Sequence, residues 1–164
     1  MYLKGFLSFL LGLLFFYLQV LIMPALAIGR IVPNILIPWM IFTLWTKPQN
    51  IALSVGFIIA LLYDTLYPAT FGLNALLFTI MGVAVNLFRM PFEQDSVVAK
   101  LLTIAVANLI FSLLTLMGFG LLWRFTAELM LVSLGAFVYN LIFSLIVFWA
   151  MQLISRLRIV IANV

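Results

Sequence analysis

Apolar positions run through this chain in long unbroken stretches, and polar residues arrive in short clusters with Pro or Gly. These clusters divide the sequence into six apolar segments: about Phe6 to Ala27, Pro33 to Thr46, Ile51 to Leu66, Leu73 to Phe88, Val97 to Leu122 and Ala127 to Ile154. The breaks fall at Arg30 and Pro33, at Lys47-Pro48-Gln49-Asn50, at Tyr67-Pro68-Ala69-Thr70, and at Arg89-Met90-Pro91-Phe92-Glu93-Gln94-Asp95. A bilayer core of about 30 Å needs about 20 apolar residues per helix, with a range of about 17–25. Five segments approach or reach that length, and the second is short and irregular. The stretches do not alternate as barrel strands would, and helices satisfy their own backbone polar groups as hydrocarbon requires. The pattern predicts an all-α integral membrane protein, a six-transmembrane-helix bundle forming one domain over residues 1–164.

Composition sharpens this reading. The 164 residues are 68% apolar and 7% charged, with a mean hydropathy of +1.37. Soluble domains run at about 45–50% apolar and about 25% charged. Eight Lys/Arg against four Asp/Glu make a phosphate-tracking nucleic-acid surface implausible. The chain has neither Cys nor His, so disulfides, thiolate or imidazole metal sites and His-dependent proton transfer are excluded. No Ser/His pair, paired intramembrane carboxylates or Gly-rich phosphate loop occurs. The sequence thus predicts no enzyme, no catalytic residue, no metal and no cofactor.

Charge sets the expected orientation. With six spans, Lys4, Lys47, Arg89, Lys100, Arg156 and Arg158 share a side with both termini, whereas Arg30 and Arg124 lie opposite. Six basic residues against two predict cytoplasmic termini, with the inner face suited to anionic lipids. Lys4, the first apolar run and Ala25-Leu26-Ala27 mimic a secretory signal, but the run exceeds the about 7–15 residues of a signal's apolar region.

Asp64 is the most informative side chain. A carboxylate in a membrane helix costs up to about 2.5–3.5 kcal/mol at mid-bilayer. It shares a helical face with Gly56 and Ala60, small residues that admit a neighbouring helix. Asp64 is either a coupling or partner-docking group, or a cap or loop anchor satisfied by Arg30, Arg124 or backbone donors. The docking alternative predicts that Asp64→Asn impairs partner binding more than Asp95→Asn. In the second segment, Pro33 suits a first helical turn, and Pro38 is expected to kink the helix or free a carbonyl. Asn108, Ser112 and Thr115 share one face, as do Ala136, Asn140 and Ser144, and Gly82 with Asn86. Such residues act as interhelical glue at about 0.6 kcal/mol per bond, or line a solute site. Arg124 and Glu128 are spaced to pair across the turn before the last segment, at little energetic gain. Trp39, Trp45, Trp123 and Trp149 suit interfacial belts.

The central residues resemble the rod shape-determining protein MreD family. Pro33-Asn34 opens the second span, and Gly56-Phe57, Asp64 and Phe71-Gly72-Leu73-Asn74-Ala75-Leu76 follow the family's pattern. Asp64 stands eight positions after Gly56, and Gly72 eight positions after Asp64. The likeness covers about Arg30 to Arg89. Tyr67-Pro68 departs from it, since the family often has a Ser-Gly turn there. The resemblance implies a non-catalytic subunit of the bacterial cell-elongation complex, supporting cell shape and lateral peptidoglycan synthesis. It implies binding to MreC, with RodA and a class B penicillin-binding protein as further partners. It implies a fold similar to the substrate-binding subunits of ECF transporters, and Pro33, Asn34, Gly56, Asp64, Gly72 and Asn74 as its partner-binding or structural motif. The alternative function is that of a solute-binding ECF-type subunit, which needs convergent polar groups in one pocket.

Overall fold

The computed structural model describes residues 2–92 and 96–162, with side chains over 5–92 and 96–155. Lys4, Arg156 and Arg158 side chains, and residues Glu93 and Asp95, lie outside the described set. Six α-helices follow one another: α1 (Tyr2–Leu21), α2 (Leu36–Thr46), α3 (Gln49–Asp64), α4 (Leu73–Arg89), α5 (Val97–Trp123) and α6 (Ala127–Ala162). Single 3-10 turns occupy Met23–Leu26 and Pro68–Thr70. Among the described residues there is no strand, only a bridge between Ile28 and Ile31. The α5 helix and the 127–155 part of α6 are long and apolar enough to cross a membrane, each with a mean hydropathy of 2.2. The helices α2, α3 and α4 are apolar but shorter.

Local chemistry explains the ends. Ser96 caps α5 by accepting from the Ala99 backbone N–H. Thr126 does the same for the Leu129 N–H in the first turn of α6. Lys47-Pro48 separates α2 from α3, since the residue before a proline is pushed out of the helical region.

The interior is mainly apolar with polar groups set into it, and the exposed surface is apolar as well. The interior holds Gln19, Asp64, Asn86, Thr103, Asn108 and Ser144, each at most 3% exposed, while Leu121, Leu131, Leu134, Ile146 and Leu153 are more than 60% exposed. The core is built around α2, whose Trp39, Met40, Ile41 and Leu44 are at most 1% exposed. Met40 fills the space left by two glycines: a Cβ on Gly56 would lie 2.5 Å from its Sδ, and one on Gly82 would lie 2.7 Å from its Cε. Gly56 therefore serves the packing of α3 against α2.

Pro38 corrects an expectation. The helix begins at Leu36, after a non-helical Pro33-Asn34, so Pro38 is the third helical residue. Its missing N–H is one of the first-turn donors that no intrahelical carbonyl could have met. No kink is needed.

Two groups of charges occupy opposite ends. The Arg89 guanidinium and Lys100 ammonium both approach the Trp45 ring, at 5.8 and 5.9 Å from its centroid. At the other end a tight turn closed by the Ile28–Ile31 bonds presents Arg30, which donates to Glu128 at 2.6 Å. The expected partner of Glu128 was Arg124. Arg124 instead has a positive φ of 80° at the α5–α6 turn, and Glu128 binds the cation of a distant loop.

Candidate functional site

The corner between α3 and α4 is organised by one carboxylate. Asp64 is the last residue of α3 and is fully buried. Its Oδ1 accepts from the Asn74 backbone N–H at 3.0 Å and from the Asn74 side-chain Nδ2 at 2.9 Å. Its Oδ2 accepts from the Ala75 N–H at 2.8 Å. Asn74 and Ala75 are the second and third residues of α4, the donors an ordinary N-cap side chain would satisfy. Gly72 occupies the cap position itself with φ 87° and has no side chain to offer. Asp64 thus caps the next helix from across the corner, placing negative charge at the positive end of the α4 dipole. Neither Arg30 nor Arg124 takes part. The buried carboxylate meets backbone and carboxamide donors, the anchoring arrangement, and it is inaccessible to a docking side chain. Asp95, its comparator, lies outside the described residues.

The entry to α2 is held by side chains in the same manner. Gln19 of α1 donates from Nε2 to the Pro33 carbonyl at 3.2 Å and accepts the Ile35 N–H on Oε1 at 2.8 Å. Asn140 of α6 accepts the Asn34 N–H on Oδ1 at 2.8 Å. Asn34 accepts the Leu36 N–H on its own Oδ1 at 3.0 Å. Three side chains therefore replace the helical bonds that residues 33–36 lack, the condition under which irregular backbone is stable away from water. Nothing in the sequence singled out Gln19. Its one signal is a lone amide late in an apolar run.

A cavity of about 590 Å³ lies beside both devices. Asn34, Asn74 and Asn140 line it, with Tyr63, Tyr67, Thr115, Arg30, Phe111, Phe119 and Trp123. Of the six motif residues, Asp64, Gly72 and Asn74 form one corner, Pro33 and Asn34 form the clamped entry, and Asn34 and Asn74 meet at this cavity. Gly56 is elsewhere, in the core against Met40. Of the polar faces, Asn108 and Ser144 act as glue: Ser144 Oγ donates to Asn108 Oδ1 at 3.2 Å. Asn140 both bonds a neighbour and lines the cavity. Thr115 lines it while returning its hydroxyl proton to the Phe111 carbonyl.

The cavity groups are carboxamides, hydroxyls, aromatic and aliphatic side chains, and one ion-paired guanidinium, a set suited to recognition. Among the described residues no group of metal-ligating side chains assembles. Comparison with protein-family models, with curated proteins and with solved structures returned no match to this chain.

Proposed function

We propose that this chain is a non-catalytic, six-span subunit of the bacterial inner membrane, of the MreD type, that acts by binding MreC within the cell-elongation complex. The observation that carries the proposal is the Asp64–Gly72–Asn74 corner. These three residues of the family-like pattern, at the expected spacing, converge on one fully satisfied junction. A motif that specifies a helix junction suits a protein whose product is a shape presented to other membrane helices. The aliphatic exposed faces of α1 and α6, such as Leu10 and Leu14 or Leu134 and Ile142, suit lipid and partner helices alike. In this proposal both termini are cytoplasmic, and RodA and a class B penicillin-binding protein are reached through the MreC complex.

Co-expression with tagged MreC and purification in mild detergent tests this. The chain is expected to co-purify with MreC at constant ratio. A monodisperse, folded chain that MreC fails to retain would remove the proposal's content. Recovery of transporter ATPase subunits in its place would favour the alternative, a solute-binding ECF-type subunit.

A further inference from the structure

Three carboxamides at the cavity each spend one end on the protein and leave the other end facing no partner among the described residues. The identity of each free end follows from the bond made by the other. Asn140 and Asn34 both use an oxygen to accept a backbone N–H, so the free end of each is an NH2. Asn74 uses its NH2 on the Asp64 carboxylate, so its free end is a carbonyl oxygen. The three carboxamides therefore offer two donor groups and one acceptor.

Depth and charge restrict what could meet them. Asn140 lies 13 residues into α6 (140 − 127), about 20 Å along the helix axis. Phe111, Phe119 and Trp123 of α5 form an aromatic wall from that depth to the α5–α6 turn. Among the described residues Arg30 is the one charged side chain lining the cavity, and Glu128 pairs with it at 2.6 Å. An ion taken to that depth would lose hydration without gaining a counter-charge. A neutral polar group would regain its hydrogen bonds from the carboxamides, and a volume of about 590 Å³ falls within the range of about 300–1,000 Å³ of small-molecule sites.

We infer that this cavity binds a small uncharged amphiphile, its hydroxyl- or carbonyl-bearing head on Asn34, Asn74 and Asn140 and its apolar flank along Phe119 and Trp123. The inference is independent of MreC binding and survives or fails separately from it. The alternative occupant is water alone, which the polar floor would also accommodate.

The test uses the full chain in phosphatidylcholine nanodiscs with three probes of equal alkyl length: octyl glucoside, nonanoate and octylammonium, each below its micelle concentration. Thermostability and tryptophan fluorescence are followed during titration. Octyl glucoside is expected to produce a saturable shift at a concentration at least about tenfold lower than either charged probe. Asn34→Ser keeps a neutral acceptor for the Leu36 N–H but loses the NH2, and weakens that response about tenfold. Ala136→Phe fills the cavity from α6 and abolishes it. If the unliganded Ala136→Phe protein does not fold, Thr115→Leu fills the cavity from α5 instead. Equal responses to the three probes, no saturable response, or an unchanged response in the filled variant would overturn the inference in favour of bilayer partitioning or a hydrated cavity only.

Discussion

Asp64 Oδ1 takes two hydrogen bonds from a single residue, Asn74, one from its backbone at 3.0 Å and one from its side chain at 2.9 Å. With the Ala75 N–H on Oδ2 at 2.8 Å, the corner needs an acceptor at both oxygens. Asp64→Asn turns one acceptor into a donor facing an N–H, and is expected to cost about 2–3 kcal/mol. Asp64→Ala leaves all three donors without a partner and costs more. Unfolding in mild detergent measures both. An Asp64→Asn protein as stable as the parent would mean that the corner does not depend on this charge.

The α2 entry makes a graded prediction. Gln19→Met keeps the volume but strands the Pro33 carbonyl and the Ile35 N–H, whereas Asn140→Leu strands only the Asn34 N–H. Each stranded buried group costs about 1–3 kcal/mol, so the Gln19 variant should lose about twice as much stability as the Asn140 variant. The ratio of the two losses, measured under one set of unfolding conditions, decides the point. A larger loss at Asn140 would show that its cavity face matters more than its bond to Asn34.

These two junctions show where sequence reasoning reached and where it stopped. Helix existence was legible because Lys47-Pro48, Tyr67-Pro68 and Arg89-Met90-Pro91 interrupt apolar runs that nothing else interrupts. Hydropathy put Asp64 near the end of the third segment and Gly72 just before the fourth, but it did not place the atoms that join them. Spacing along a chain cannot say that the Asn74 N–H, rather than Arg30, is the partner. Gln19 and Asn140 lie in different helices from the backbone they serve, at separations of 14 to 106 residues. Local pattern carries no record of such pairings. Pro38 was misplaced for a related reason: the non-helical Pro33-Asn34 is held by those distant side chains, and the helix starts only at Leu36.

Two turn residues should respond to substitution in opposite directions. Gly72 has φ 87°, and a Cβ there would meet nothing within 4 Å, so Gly72→Ala isolates the backbone cost of about 1–2 kcal/mol. Arg124 holds φ 80° and ψ 151°, a region that strains residues with a Cβ. Arg124→Gly relieves that strain against a greater entropy loss on folding, and a net gain of about 1 kcal/mol is expected. Thermal unfolding of the two variants beside the parent gives both signs. A loss on Arg124→Gly would mean that the turn does not hold this conformation.

The proposed topology can be read chemically because the chain has no cysteine of its own. Asn50 follows the Lys47-Pro48 break at the α2–α3 junction, and Ala69 lies in the α3–α4 corner, both exposed. Basic residues favour the cytoplasmic side, and Lys47, Arg89 and Lys100 fall on the Asn50 side of the proposed spans. An Ala69→Cys protein in spheroplasts is therefore expected to react with a membrane-impermeant maleimide, and an Asn50→Cys protein to react only after lysis. The reverse pattern would place the termini outside. Reaction of both in intact cells would mean that α3 does not separate its two ends across the membrane, and the six-span proposal would fall with it.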